Sequence, residues 1–356
     1  MFRDRPRSWR KPTKPSGSRC VFDHARGLVQ RRHARHANVK AIVVEGATLA
    51  WRDVPDPVPG ADEVLLRVHA ASVNRADLAQ RAGRYPPPEG ASDILGLDVA
   101  GEVLHAPAGS RWSPGDRAMA LVVGGGYAEH AAVPSRMLMP IPTDWSFEQA
   151  ASIPEVHLTA YLNLVLEAHL RPGERLLIHG GASGVGTAAI QQSRAMGALV
   201  ATTSSASKRP ACLQLGANLA FDRRDPAWSA RLRDAWRQVD VVLDMVGAGM
   251  FASNLELLAT GGRLVWIATP AGSRVEVDVR ALMIRRLTLK GSTLRSRPLA
   301  EKITLRDAFH ATFGPALARG AITPLVQVVT DVRDVEYAHS LLRANATIGK
   351  VVLRIP

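Results

Sequence analysis

Short apolar runs alternate with helix-like stretches along residues 156–295. The runs are predicted to be strands of one doubly wound parallel sheet, because buried parallel strands are apolar throughout and helices connect them. Six strands are predicted, at residues 176–179, 199–203, 219–222, 239–246, 262–269 and 287–291. This part of the chain is therefore predicted to be an α/β domain of the Rossmann type.

A different pattern covers residues 40–154. Short alternating runs, such as the one at 63–68, are separated by turns rich in proline and glycine, and helical signals are sparse. Beyond residue 300, helices are predicted at 304–319 and around 335–343. A strand at 350–355 follows, and we expect it to pair with the β-rich first domain.

Four segments result: a basic extension (1–38), a β-rich domain (39–156), the α/β domain (157–297) and a return to the β-rich domain (298–356). The chain has a net charge of +13, and the extension, with eleven Lys/Arg and two Asp, contributes nine of it. Its lack of apolar periodicity predicts disorder. Three interpretations stay open: an organelle transit segment, an arm that binds nucleic acid, or translated sequence upstream of a natural start at Val39. The last is favoured.

A glycine-rich turn, Gly-Gly-Ala-Ser-Gly-Val-Gly at 180–186, follows the first predicted strand of the α/β domain and precedes a helix-like stretch. This order of strand, turn and helix is typical of a dinucleotide-binding βαβ unit. Glycines let the backbone approach a pyrophosphate, and the helix N-terminus offers unpaired N–H groups. The turn therefore predicts nucleotide binding, with a plain βα turn as the alternative.

The residues after the second strand of this domain indicate which nucleotide binds. An NAD site usually has Asp or Glu there, which binds the ribose 2′-hydroxyl. Residues 204–209 read Ser-Ser-Ala-Ser-Lys-Arg and contain no carboxylate. Hydroxyls and fixed cations suit a 2′-phosphate, so NADPH is predicted, with Ser205 and Lys208 as phosphate contacts. A solvated serine-rich loop is the alternative.

Composition narrows the class of protein. With 356 residues the chain is long enough for two domains, and no apolar run approaches the ~20 residues that cross a bilayer. Two cysteines, Cys20 and Cys212, allow neither a disulfide framework nor a four-thiolate zinc site. They fit a reducing compartment, so a cytoplasmic protein without membrane association is expected.

Several motifs occur in one order along residues 40–356. They include Ser-Val-Asn-Arg-Ala-Asp-Leu at 72–78, Gly-Arg-Tyr-Pro-Pro-Pro at 83–88, Leu-Thr-Ala-Tyr at 158–161 and Ile-Gly-Lys-Val-Val-Leu at 348–353. With them, the chain resembles the zinc-free medium-chain dehydrogenase/reductase superfamily, in the branch of the zeta-crystallin-like NADPH:quinone oxidoreductases. The resemblance implies a GroES-like catalytic domain packed on the Rossmann domain, with the active site in the cleft.

The resemblance also implies a site without metal. Zinc-dependent relatives have a metal-binding Cys and His where this chain has Asn74 and Leu97. Tyr85 and Ser183 are implied to lie beside the nicotinamide and to donate hydrogen bonds to the substrate oxygen, which gains negative charge during reduction. For Tyr85 the alternative is a wall of the pocket, because protons can come from solvent.

Further residues are implied to bind the cofactor. Asn74 and Thr159 are assigned to its nicotinamide end, although a turn Asn and a helix Thr can instead bond to their own backbone. The others are Gly184, Val185 and Gly186 in the turn, Arg223 near the adenosine, Val246, Gly247, Ala268 and Thr269 at strand ends, and Leu294, Arg295, Asn345 and Lys350 by motif. We interpret His157 and His179 as structural, and the glycines at 124–126 as a turn before a strand near Tyr127.

The leading interpretation is an NADPH-dependent quinone reductase, since a quinone is electrophilic without a Lewis acid. A reductase of the C=C bond of an alkenal or enone is a close alternative, because the hydride chemistry is similar. A nucleotide-binding scaffold, or a nucleic-acid-binding protein supported only by the basic extension, is the alternative from another class. The expected partners are a small quinone or activated alkene and a second copy of the chain, paired through the strand near 287–291.

Overall fold

Strand pairing organises the first half of the part of the chain that the computed structural model describes, residues 38–356. The strands there are β1 (Asn38–Glu45), β2 (Thr48–Pro55), β3 (Glu63–Ser72), β4 (Asp98–His105), β5 (Arg117–Leu121), β6 (His130–Pro134) and β7 (Met139–Pro140). β1 and β2 form an antiparallel hairpin, and the other five belong to a larger sheet. Apart from Asn38, the predicted basic extension lies outside the described residues.

The α/β domain has one sheet of six parallel strands, as predicted. Their order across the sheet, which the sequence did not predict, is 219–222, 199–204, 175–179, 239–244, 258–266 and 288–291. Leu176 and Ile178 pack into an apolar cluster on one face of this sheet, and Leu177 packs into a cluster on the other. Both faces are therefore covered, as in a doubly wound fold. The strands are β8 (Arg175–His179), β9 (Leu199–Ser204), β10 (Leu219–Asp222), β11 (Val239–Asp244), β12 (Leu258–Trp266) and β13 (Thr288–Gly291).

Three predicted strand boundaries in this sheet were wrong by two residues or more. β12 ends at Trp266 rather than at residue 269, and the other two differences have local reasons. β11 ends at Asp244 rather than at residue 246, because the Asp244 carboxylate accepts the N–H groups of Val246 at 2.6 Å and Gly247 at 3.0 Å and turns the chain. β12 begins at Leu258, before its glycine pair, because the pairing with β11 skips from Leu258 to Arg263. The residues between them form a bulge, which the two glycines accommodate.

Helices cover the sheets and join the two halves of the described chain. They are α1 (Arg75–Arg81), α2 (Phe147–Ala151), α3 (Pro154–Tyr161), α4 (Gly184–Ala195), α5 (Arg209–Gln214), α6 (Trp228–Trp236), α7 (Phe251–Leu257), α8 (Val279–Arg285), α9 (Leu299–Ala318) and α10 (Val335–Arg343). A π-helical turn, Leu162–Glu167, continues α3. Within residues 38–356, none of the helices has the length and apolar character required to span a bilayer.

The end of the described chain returns to the β-rich domain, as predicted. The strand β15 (Lys350–Arg354) pairs antiparallel with β3, where Val352 lies opposite Ser72. The strand β14 (Val326–Asp331) was not predicted; it pairs parallel with β15 at the sheet edge. Its alternate residues are only partly buried, so the apolar signal in its sequence is weak.

The sheet of the β-rich domain requires a glycine at position 101. A Cβ atom on Gly101 would lie 1.8 Å from the carbonyl oxygen of Arg67 on the paired strand. We therefore predict that Gly101→Ala lowers the free energy of unfolding by about 3 kcal/mol, because backbone of both strands must move. Gly60→Ala is the control, since its Cβ would make only ordinary contacts, the nearest at 3.4 Å. Equal denaturation midpoints for the two variants would contradict the prediction.

Candidate active site

The glycine-rich turn between β8 and α4 has the geometry of a phosphate-binding turn. Ser183 is the N-cap of α4, and its Oγ accepts the N–H of Gly186 at 3.0 Å. The N–H groups of Gly184 and Val185 have no partner among the described residues, so they remain available to an anion. A Cβ on Gly186 would lie 2.3 Å from the Gly180 carbonyl oxygen, so the turn needs glycine there. The residues present fit a pyrophosphate.

The ends of β11 and β12 meet beside this turn. A Cβ on Gly247 would lie 2.8 Å from Cα of Thr269, so the segments that contain Val246 and Ala268 are in contact. Four residues that were predicted to bind the cofactor therefore lie together at the carboxyl edge of the sheet: Val246, Gly247, Ala268 and Thr269. Ligands of open α/β sheets bind in crevices at that edge.

Three cations gather at the end of β9, where the 2′-phosphate was predicted. The Nζ of Lys208 donates to the carbonyl oxygens of Asn345 and Thr347, both at 2.6 Å. Burial, then the charges of Arg223 and Arg75, lower the pKa of Lys208. Arg75 also donates to the Asn345 side chain. A group of three cations favours the binding of a dianion, such as a 2′-phosphate, between them.

Asn74 lies in a buried polar cluster with Asp98 and Lys350. Asp98 is fully buried and accepts hydrogen bonds from Ser72 Oγ at 2.6 Å and Asn74 Nδ2 at 2.8 Å. The Nζ of Lys350 donates to Asn74 Oδ1 and lies 3.3 Å from Asp98 Oδ2. Each charge in the cluster is therefore paired, as burial requires. Lys350 reaches the turn as well, because a Cβ on Gly184 would lie 2.9 Å from its Cδ.

A second buried carboxyl, that of Asp77, holds the start of α1. Asp77 accepts the N–H of Asn74 at 2.7 Å and the hydroxyl of Tyr127 at 2.9 Å. The Asp77 carboxyl thus caps the backbone N–H of Asn74 from the third helical position, as in a capping box, and fixes the Asn74 backbone. Burial raises the pKa of Asp77 to about 6.

Glu155 and Thr159 lie one turn apart at the start of α3. The Thr159 hydroxyl donates to Glu155 Oε1 at 3.2 Å, and the Glu155 backbone N–H donates to Asp98 Oδ1 at 2.6 Å. Thr159 thus bonds to a side chain rather than to its own helix carbonyl, the alternative that the sequence left open. Burial raises the pKa of Glu155 to about 7, against the opposing effect of Lys350.

Tyr85 lies under the guanidinium of Arg295, which is 5.3 Å from the ring centroid. Arg295 is 5% exposed and donates to the Val123 carbonyl oxygen and to Gln80 Oε1, so it bridges loops of the β-rich domain. Leu294 belongs to the apolar core of that domain. These contacts give Leu294 and Arg295 packing roles, and their contact with a cofactor stays a prediction.

The donor set around Asn74 does not fit a zinc ion. Protein ligands of zinc are thiolates, imidazoles and carboxylates. Asn74 uses its amide on Asp98 and Lys350, and Leu97 is an apolar core residue. Among the residues from 38 to 356, no three His, Cys, Asp or Glu side chains are grouped to hold a metal.

The two histidines interpreted as structural are buried and hydrogen-bonded. His179 contacts Thr203 Oγ1 at 2.9 Å and Asn254 Oδ1 at 2.7 Å. His157 contacts Gln192, and burial lowers its pKa to about 3, which keeps it neutral. The glycines at 124–126 pack against residues 92–96, and the next strand, β6, begins three residues later than predicted.

Sequence reasoning missed Arg75, Asp77, Asp98 and Glu155 as site residues. Asp77 had a local signal, because Asn74-x-x-Asp77 matches the spacing of a capping box. Arg75 had none, because Asn345 lies far away in the sequence. Glu155 has one partner nearby, Thr159, but the Asp98 that places it in the site is distant in the sequence. The motifs named for the resemblance contain Arg75 and Asp77 but gave them no role.

Two family matches correspond to the two domains. Residues 60–143 match the alcohol dehydrogenase GroES-like domain, and residues 184–308 match the zinc-binding dehydrogenase family. Quinone oxidoreductase from Sus scrofa is 31% identical over 312 residues, which are 85% of this chain and 92% of the relative. The Homo sapiens quinone oxidoreductase is 29% identical over 310 residues, with the same coverage.

Solved structures agree with this comparison. Mycobacterial Rv1454c, solved as a complex with NADPH, has a TM-score of 0.79 and 30% identity, over 89% of this chain and 100% of that one. CurK enoyl reductase has a TM-score of 0.80 and 25% identity, over 90% of this chain and 99% of that one. The arrangement of a Rossmann domain with a GroES-like domain is therefore shared with known enzymes.

The cation group at Lys208 leads to a prediction on cofactor choice. We expect Lys208→Ala to raise the Kd of NADPH about 10- to 100-fold and that of NADH less than about twofold, since only NADPH has the 2′-phosphate. Fluorescence titration measures both constants. Arg224→Ala is the control, because Arg224 is exposed and lies outside the three-cation group. Equal losses for both nucleotides would refute the phosphate assignment.

Proposed function

Because this chain belongs to the medium-chain dehydrogenase/reductase superfamily, in the branch of the zeta-crystallin-like quinone oxidoreductases, we propose that it reduces quinones with NADPH and without a metal ion. Membership of this superfamily makes the chain an oxidoreductase with a nicotinamide cofactor. The quinone, the choice of NADPH and the independence from zinc belong to the proposal.

The observation that carries the proposal is the set of side chains around Asn74, where a lysine is hydrogen-bonded to the amide. The Lys350 ammonium binds Asn74 and Asp98 there, and the residues offer no zinc-binding set. Such a site does not suit a carbonyl substrate that a Lewis acid must polarise before it accepts a hydride. A quinone needs no such polarisation, so hydrogen-bond donors are sufficient.

The preference for NADPH rests on the cations around Lys208. Arg75, Lys208 and Arg223 come from different elements, and β9 is followed by no carboxylate that would bind a ribose hydroxyl. The relative that was solved with NADPH supports the same choice. When bound, NADPH supplies the hydride, and the protein residues orient the two reactants.

Ser183 and Tyr85 are the proposed hydrogen-bond donors to the substrate oxygen. The Ser183 hydroxyl donates to the sulfur of Met245 at 3.1 Å, a weak acceptor that an oxyanion readily replaces. Burial raises the pKa of Tyr85, so its phenol keeps the proton. Donors aimed at developing negative charge lower the barrier of the hydride step.

Reduction of an activated C=C bond is the second candidate, supported by the likeness to CurK enoyl reductase. The hydride then reaches carbon, and the same donors stabilise an enolate oxygen. A nucleotide-binding scaffold is the alternative from another class. Nucleic-acid binding has only the basic extension as support, and apart from Asn38 that segment lies outside the described residues. A cytoplasmic location remains part of the proposal, based on the two cysteines.

The proposed function is tested by NADPH oxidation with a panel of quinones and of enals and enones. We expect turnover with quinones, faster with NADPH than with NADH, and unchanged by dialysis against a chelator. Turnover confined to enals or enones would favour the second candidate. No turnover with either class, in protein that binds NADPH, would defeat both.

We further propose a homodimer formed through β13. This strand is at one edge of the six-stranded sheet, and among the described strands it pairs only with β12. Val279, Met283 and Ile284 of the preceding helix are 63%, 72% and 65% exposed. A strand with one free edge, next to exposed apolar side chains, can pair with the same strand of a second copy, and the apolar side chains of the two copies then cover each other.

Light scattering coupled to gel filtration tests the dimer. We expect the wild-type chain to be dimeric and the double variant Met283→Lys with Ile284→Lys to be monomeric, because two charges would be buried in the interface. Val58→Lys is the control, since Val58 is 76% exposed and lies in the other domain. A monomeric wild type, or a dimeric double variant, would contradict the proposal.

A further inference from the structure

Glu155 lies where the β-rich domain, α3 and the glycine-rich turn come together. Its backbone N–H donates to Asp98, and its carboxyl accepts the hydroxyl of Thr159. The neighbouring Val156 approaches the turn, because a Cβ on Gly184 would lie 2.9 Å from Val156 Cγ1. Glu155 is therefore next to the residues assigned to the nicotinamide end of the cofactor.

The charged groups that act on Glu155 come from several elements. They are Lys350 of β15, Asp98 of β4 and Asp77 of α1, and the Glu155 charge in turn acts on the phenol of Tyr85. The Lys350 ammonium is hydrogen-bonded to Asn74 and Asp98 instead of Glu155. One neutral hydroxyl is thus the only side-chain donor that the described residues give to the Glu155 carboxyl.

A buried carboxyl with so few donors favours its neutral form. Burial is the largest cause of its raised pKa of about 7, and Asp98 and Asp77 add to it, while Lys350 and Thr159 oppose it. Glu155 as a residue is partly rather than fully buried.

Reduction by hydride leaves the acceptor with a negative charge and in need of one proton. Ser183 and Tyr85 stabilise that charge, but a serine hydroxyl is a weak acid and burial raises the pKa of Tyr85. An efficient proton donor has a pKa near the working pH. Two carboxyls around Asn74 have a pKa in that range, those of Asp77 and Glu155. Asp77 is fully buried and accepts hydrogen bonds from Asn74, Tyr127 and Gly96. Glu155 is only partly buried and accepts one neutral hydroxyl, so it is the carboxyl that is free to give a proton.

We propose that Glu155 is the catalytic proton donor to the reduced acceptor, an inference that rests on the proposed function. The acceptor takes a hydride, with its two electrons, from NADPH, which is oxidised to NADP⁺. The O–H bond of the Glu155 carboxyl breaks, and a new O–H bond forms on the hydroquinone, or a C–H bond on a reduced enone. The carboxylate that remains, near Lys350, regains its proton from solvent.

The test compares Glu155→Gln with wild-type protein and with Glu301→Gln, a change at an exposed glutamate of α9. We expect Glu155→Gln to lower kcat about 100-fold or more, a typical contribution of a positioned acid, with the Kd of NADPH unchanged. Wild-type kcat falls as the pH rises through about 7, where the acid ionises. The remaining activity of Glu155→Gln lacks that decline, and Glu301→Gln behaves as wild type.

Two measurements separate chemistry from folding. Glu155→Ala is expected to regain activity with added formate, a small acid that fits the space left by the side chain. In protein without cofactor, one component of the protonated-carboxyl infrared band is expected to disappear as the pH passes about 7. That component is expected to be absent from Glu155→Gln, which keeps the component of Asp77, lost near pH 6.

Each outcome bears on one of the two proposals. Wild-type kcat and pH profile in Glu155→Gln, or a lowered kcat with the wild-type pH profile and no formate rescue, would overturn the role of Glu155 alone. No turnover by the wild-type protein with any quinone, enal or enone would overturn the proposed function and this role with it.

Discussion

The buried ion pair between Lys350 and Asp98 is the contact on which the site depends. Lys350 is 4% exposed and Asp98 is fully buried, so neither charge is tolerated without the other. The two charges meet only if β15 lies beside β3 and the aliphatic part of the Lys350 side chain passes close to Gly184. The same contact orients the Asn74 amide. One pair of charges thus aligns the returning strand, the start of α1 and the glycine-rich turn.

Neighbouring carboxyls in this region have different surroundings, and this gives them different chemistry. Asp98 accepts hydrogen bonds from Ser72, Asn74, Lys350 and the backbone of Glu155, so its side chain links β3, the start of α1, β15 and α3. Glu155 accepts from one hydroxyl, and burial raises its pKa. Divergent environments for adjacent acids are a common way to assign one of them to proton transfer. The separation here follows from backbone placement, since Pro154 starts α3 and directs the next N–H at Asp98.

The sequence was most informative where the physical requirement is local. The six strands of the α/β domain were predictable because strands buried on both faces must be apolar, and the glycine-rich turn because its close contacts exclude a Cβ at position 186. The bulge in β12 and the end of β11 depend on pairing and on the Asp244 carboxylate, so their boundaries were missed. Arg75 and Glu155 became visible as site residues only when the fold brought distant segments to them.

The link between Gly349 and Ala182 has a consequence for the order of synthesis. The Gly349 N–H donates to the Ala182 carbonyl oxygen at 3.0 Å, within the glycine-rich turn that precedes α4. A ribosome completes the glycine-rich turn long before it reaches Gly349, so the nascent Rossmann domain lacks one of its own supports. Until translation has passed Lys350, the β-rich domain likewise lacks β15, one of the three strands that pair with β3, so both domains are completed by the same late segment.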